Sequence, residues 1–217
     1  MPESSDKTNV IPILDIQNIS VFYNSTPVIK DFSLALKEGE RVVVEGPNGC
    51  GKTTLLRVIL GNIKPAKGKI QISSNTRTAY CKQGFAETKA PISVYEVVAM
   101  GLYKQERRDL ARVEHAMRET GVSQLAGRRF GELSGGEKQR VSLARCFCQD
   151  ANLLLMDEPS SFLDVAFREE FVEMMRSLPS YMAAIVVTHD AQLTQALGWP
   201  IVRLGSPIER LEGPCRD

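Results

Sequence analysis

The chain has 217 residues, a formal charge of +1, apolar and charged fractions close to those of ordinary globular proteins, and five cysteines. That length suits one well-buried core carrying small appended subdomains and is short for two independent domains, so we read 1–217 as a single domain. A balanced charge without basic or acidic runs argues against a nucleic-acid partner, and no apolar run approaches the roughly 20 residues that cross a bilayer.

The N-terminus, MPESSDKTNV, lacks the basic and apolar blocks of a signal peptide, so the chain is expected in the cytosol. Cys50, Cys81, Cys146, Cys148 and Cys215 contain no zinc-like CxxC pair and are expected to be reduced thiols. Cys146 and Cys148 fall two apart in an expected helix, which turns them to different faces and argues against joint chelation.

In chain order, the first ten or so residues are polar, and order is expected from about Val10. From there to Leu36 short β-rich pieces alternate, as antiparallel strands do, and end in a turn at Lys37-Glu38-Gly39-Glu40. Arg41–Glu45 is a continuous apolar run of the kind found in strands covered on both faces, and a helix is expected from Lys52 to Leu60. Further short β-character lies between Pro65 and Cys81 and is expected to join the N-terminal layer. The span from Val94 to Gly121 reads as charged and helical, with Ser93 and Gly121 as its caps. A helix is expected from Gly135 to Cys148 and a second buried strand over Asn152–Met156. Phe167, Phe171, Met174 and Leu178 then recur at helical spacing until Pro179, and a third buried strand covers Ala183–Thr188. A short β-tail is expected over Ile201–Leu211, with no room after it for a regulatory domain. Strands alternating with helices make the core α/β.

Gly46, Pro47, Asn48, Gly49, Cys50, Gly51, Lys52 and Thr53, followed by Thr54, match GxxxxGK[ST] between a buried strand and a helix, the context that the motif requires. Glycines let successive N–H groups face one concavity, the helix N-terminus adds partial positive charge, Lys52 a full one, and Thr53 a hydroxyl for Mg²⁺. This pattern binds the phosphates of a nucleotide.

Asp157 and Glu158 end the second core strand, where ligands of open α/β sheets gather, and Gly46 and His189 follow the other two. Asp157 suits Mg²⁺, a hard cation that takes oxygen ligands, while Glu158 can orient or deprotonate an attacking water. A plainer role for the acidic pair is to cap the turn before Pro159. Leu133-Ser134-Gly135-Gly136-Glu137-Lys138-Gln139-Arg140 contains a capping box, Ser134 with Glu137, that would begin a helix in any protein. The box leaves Gly135 and Gly136 unexplained: they cost helix stability but permit a close approach to an anion.

This last segment resembles the signature of the ATP-binding cassette (ABC) family, and from about Val10 onward the chain follows that family's order of motifs. The resemblance implies a P-loop NTPase (RecA-like) parallel-sheet core with an N-terminal antiparallel β-subdomain and an inserted helical subdomain. We bound the β-layer at 10–45 and 65–82, the nucleotide-binding core at 46–64 and 150–217, and the helical subdomain at 85–149. By the same resemblance Gly46–Thr54 is the Walker A loop, Gln83 the Q-loop glutamine that reaches the metal and the water, and Asp157-Glu158 the Walker B pair with its catalytic glutamate. Ser161-Phe162-Leu163-Asp164 resembles the D-loop, His189 the switch histidine at the γ-phosphate, and Tyr23 the aromatic that stacks on adenine, with Phe22 taking that role if the strand register shifts by one.

Three residues depart from the family's habit: Glu137 where glutamine is commonest, Phe162 where alanine is usual, and Cys50 at a variable loop position beside the phosphates, which would make the enzyme sensitive to thiol modification. The resemblance further implies ATP and Mg²⁺, and a second copy lending Ser134, Gly135, Gly136 and Asp164 to the first copy's nucleotide. It also implies a separate transmembrane permease on the cytoplasmic face of the membrane and, for an importer, an extracytoplasmic solute-binding protein. Pro91 to Leu102 resembles the same stretch in importers of metal ions and iron chelates. A soluble ABC ATPase of cluster assembly, or a regulatory cassette without turnover, are the rival classes; intact Glu158 and His189 speak against the latter.

Overall fold

A computed structural model describes residues 12–82, 84, 90–102 and 109–205. Two sheets form the frame. In the first, β1 (Leu14–Tyr23) is the centre of an antiparallel sheet of order β2-β1-β4, between β2 (Thr26–Leu36) and β4 (Lys67–Ile72). In the second, five strands run parallel in the order β5-β6-β7-β3-β8, comprising β3 (Arg41–Glu45), β5 (Thr78–Cys81), β6 (Leu153–Asp157), β7 (Ala183–Thr188) and β8 (Ile201–Arg203).

Strand alternation divides the apolar side chains between two cores. Val42, Val44, Leu153 and Leu155 face the antiparallel sheet and helix α1 (Lys52–Ile59), whereas Val43, Leu154 and Met156 face α4 (Gly135–Cys148), α5 (Val165–Arg176) and α6 (Ala191–Leu197). A third cluster joins α2 (Val94–Ala99) and α3 (Leu110–Glu119) to the other face of α4. That helix serves both: Leu143 and Cys146 enter the sheet core, Val141, Ala144 and Cys148 the helical one. The spacing argument about Cys146 and Cys148 therefore holds.

Several sequence-based boundaries need correction. Strand β5 pairs with β6 and lies in the parallel sheet, not in the N-terminal layer; at four residues it is too short to display a continuous apolar run, although Ala79 and Cys81 are fully buried. Only β4 of the 65–82 segment joins the antiparallel layer, and β3, included in 10–45, belongs to the core sheet. The span read as helical from Val94 ends its first helix at Ala99; Gly101 follows, where a Cβ would strike the backbone of Arg145 in α4. Ser93 caps α2 with a full capping box, and Gly121, at φ +63°, takes the left-handed position after α3. The expected tail is represented by β8, paired parallel to β3; its continuation beyond 205, Val10 and Gln83 lie outside the described residues.

Candidate functional site

Parallel strands carry their C-terminal ends to one edge of the sheet, and the polar motifs meet there: the loop from Gly46 follows β3, Asp157 ends β6 with Glu158 after it, and Thr188 ends β7 with His189 after it. A cleft of about 330 Å³ opens at this edge. Asn48, Gly49, Gly51, Lys52, Thr53 and Thr54 line one side, and Asp157 with Glu158 the floor. Tyr23 and Val28 complete the wall from the hairpin that joins β1 to β2, so the register places Tyr23 at the cleft.

Gly51 is the N-cap of α1 at φ +105°, and a Cβ there would meet Val28 at 2.9 Å, so the loop needs glycine for both conformation and space. Lys52 is buried; its ammonium donates to the carbonyls of Gly46 (2.7 Å) and Pro47 (3.1 Å) and lies 3.4 Å from Glu158 Oε1. Cys50 turns its sulfur under Gly46 and packs against the sheet core.

The Thr53 hydroxyl donates to Asp157 Oδ1 (3.2 Å), and the Tyr80 hydroxyl to Oδ2 (3.4 Å). Burial raises the Asp157 carboxyl above its ordinary range, with the Glu158 charge adding to the effect and the Thr53 and Tyr80 hydrogen bonds opposing it. Burial, together with the Asp157 charge and hydrogen bond, pushes the Tyr80 hydroxyl up to about 12. Among the described residues no group of three His, Cys, Asp or Glu side chains could hold a metal. Two adjoining oxygens, Thr53 Oγ1 and Asp157 Oδ1, in a cleft open to phosphate oxygens, nevertheless fit Mg²⁺, which keeps few protein ligands and completes its shell from substrate and water.

Glu158 has φ +47°, a left-handed conformation uncommon outside glycine that turns its carboxylate back across the ends of β6 and β7. Oε1 meets His189 Nδ1 (2.8 Å), while Oε2 accepts from the Thr188 hydroxyl (3.0 Å) and the His189 amide (3.3 Å). Asp190 caps α6 and binds Ser160 and Arg168; burial would raise its carboxyl, but donors from Leu193, Ser160, Arg168 and Gln192 outweigh that and lower it.

The signature residues lie elsewhere. Ser134 is the N-cap of α4 in a reciprocal capping box with Glu137, exposed together with Gly135. Their neighbour is the exposed Phe162: a Cβ on Gly135 would meet its ring at 3.4 Å, and one on Gly136 its carbonyl oxygen at 3.1 Å. Asp164 caps α5 through the Phe167 amide (2.8 Å) and pairs with Arg140 (3.3 Å). Sequence reasoning missed Thr188, Tyr80 and Val28. Thr188 read only as the end of an apolar strand, and Tyr80 reaches Asp157 across a sheet pairing that no local pattern signals.

The fold and the cleft define a P-loop nucleotide-binding protein. More narrowly, the chain belongs to the ABC transporter family, whose model matches residues 29–161, and it is an ATP-hydrolysing cassette of that family. It is 34% identical over 197 residues to the manganese transport system ATP-binding protein MntB of Bacillus subtilis, covering 84% of this chain and 79% of the relative. It is also 34% identical over 194 residues to the zinc transport system ATP-binding protein TroB of Treponema pallidum, covering 82% and 73%. Among solved structures, an inward-facing putative metal-chelate type ABC transporter superposes with a TM-score of 0.78 at 27% identity, over 89% of this chain and 79% of that one. A dimeric bacterial ABC transporter cassette shares the fold with a TM-score of 0.78 at 24% identity, over 94% and 100%.

Proposed function

We propose that the chain is the ATP-hydrolysing subunit of an importer, energising passage of a metal ion or metal chelate through a separate membrane permease fed by an extracytoplasmic binding protein. Named relatives are ATP-binding proteins of manganese and zinc transport systems and of iron(III) import, and no helix among the described residues is long and apolar enough to cross a membrane. The observation that carries the reading is a divided site: Lys52, Asp157 and Glu158 line one cleft, while the turn Ser134-Gly135-Gly136 opens to solvent away from it.

Tyr23 stacks on adenine; the loop Gly46–Thr54 and Lys52 hold the phosphates. Thr53 and Asp157, with Gln83, would hold Mg²⁺, and the ion would supply positive charge to neutralise the phosphate oxygens. Glu158 accepts a proton from the attacking water, and His189 donates to the γ-phosphate. Ser134, Gly135 and Gly136 of a second copy close the site, so ATP joins two copies and hydrolysis parts them.

Glu158→Gln is expected to lower kcat by about 100- to 10,000-fold while an ATP-bound dimer accumulates on a sizing column. A monomeric and still active variant would overturn the reading. Co-purification with a permease from detergent-solubilised membranes separates a transporter from a soluble ABC ATPase.

A further inference from the structure

We propose that Thr188 is the positioning residue for the hydrolytic carboxylate: its hydroxyl holds one oxygen of Glu158 in place throughout turnover. The inference rests on the role proposed above for Glu158 and extends it to a side chain that touches neither nucleotide nor metal.

Thr188 is the last residue of β7 and is wholly buried. Its hydroxyl accepts the Asp190 amide proton (3.0 Å) and donates to Glu158 Oε2 (3.0 Å). A hydroxyl has a single proton, and an amide N–H can only donate. The amide of Asp190 therefore occupies a lone pair of Thr188 and leaves the hydroxyl proton directed at the carboxylate. Asp190 is anchored in turn: Oδ1 accepts from the Gln192 and Leu193 amides, and Oδ2 meets Ser160 Oγ (3.1 Å) and Arg168 (3.0 Å).

The other side-chain partners of Glu158 have competing work. Lys52 and the His189 ring both contact Oε1, and in the proposed mechanism both turn to phosphate oxygens. On Oε2 the partners are the Thr188 hydroxyl and the His189 amide, which no phosphate can recruit from the strand end without breaking it. Glu158 also departs from the common backbone region at φ +47°, with its own amide bonded to Val187 (2.9 Å), so its side chain leaves a bent chain and needs a fixed partner to face the water. Thr188 supplies that partner from a rigid, buried strand.

The test uses phosphate release by the full-length chain at varied MgATP. Thr188→Val, nearly the same in shape, is expected to lower kcat by about 10- to 100-fold, the value of a hydrogen bond to a charged group, with KM changed less than about twofold. Thr188→Ser restores the hydroxyl and is expected to recover most of the rate. In a Glu158→Gln background Thr188→Val should add little further loss, because the two act as one unit. Unchanged kcat, a loss that Ser does not recover, or an equal loss in both backgrounds overturns the proposal. Should Thr188→Val fail to fold, Thr188→Cys, a weaker donor of similar volume, is expected to be intermediate in rate; full activity would overturn the idea. Turnover retained by Glu158→Gln would instead sink the role of Glu158 itself, whereas an inactive Glu158→Gln beside a fully active Thr188→Val sinks only this inference.

Discussion

Two helices begin at glycine-bearing turns, α1 at Gly51 and α4 at Ser134-Gly135-Gly136, and they use their N-termini in opposite ways. Helix α1 has no side-chain cap among the described residues, so its first amides remain available to a ligand, and Lys52 stands in the first turn, buried beside Glu158. Helix α4 caps itself in part: Ser134 accepts from the Glu137 amide, and the Glu137 carboxylate accepts from the Ser134 amide in return and is lowered chiefly by that backbone bond, so the box engages those two amides and not those of Gly135 and Gly136. One terminus is uncapped and lies within a polar network, the other is partly capped and lies at the surface. A turn of the second kind binds phosphate only as an addition to a site formed by the first, which is the physical case for two copies sharing each nucleotide.

The widest break in this comparison would come from mixing variants. Lys52→Ala removes the first site's charge and Gly135→Asp places a negative side chain at the second; each protein alone is expected to lose all but a trace of its ATPase activity. Mixed, they can form a dimer in which an intact loop meets an intact signature turn, so phosphate release should return. Failure of the mixture to recover, with both variants folded, would mean that each chain completes its own site.

Smaller in effect, Asp157→Asn probes the strain carried by the buried side. Asp157 is raised by burial, so folding favours its protonated form: that contribution is full below the unfolded value of 3.8 and is lost as pH rises through the higher folded value. At pH 7 Asp157→Asn is therefore expected to raise Tm by roughly 2–4 °C, about 1 kcal/mol for a chain of this size, while turnover is lost. The gain should shrink on acidification through the carboxylate range. A Tm that falls at pH 7 would show that the Thr53 and Tyr80 hydrogen bonds outweigh desolvation.

The finest comparison sets one cap against another. Ser93 and Ser134 form the same capping box, on α2 and α4 respectively. Either serine changed to Ala is expected to cost about 1 kcal/mol of stability by thermal melting. Only Ser134→Ala should also slow phosphate release, and equal kinetics would reduce the signature serine to a helix cap.

Much of the site was legible because each motif is local. Gly46–Thr53, Asp157-Glu158 and His189 sit at the ends of apolar runs long enough to be read as strands, and parallel strands bring their C-terminal loops to a common edge. The same reasoning misplaced β5, whose four residues carry no period to read, and gave no sign that the Cys50 sulfur fills the space under Gly46. Phe162 stood out as a departure from habit, but its ring against Gly135 joins residues far apart in the chain.

Residue order alone thus determined the family, the phosphate loop, the acidic pair and the caps of α2 and α4, since each depends on neighbours within one turn or one strand. Tertiary structure decided which strand joins which sheet, that Tyr23 lines the cleft, that Tyr80 and Thr53 share Asp157, and that the Thr188 hydroxyl and the His189 ring take different oxygens of Glu158. Those contacts arise from the order in which β5, β6, β7 and β3 lie side by side, and that order is set by how two cores are buried on opposite faces of one sheet.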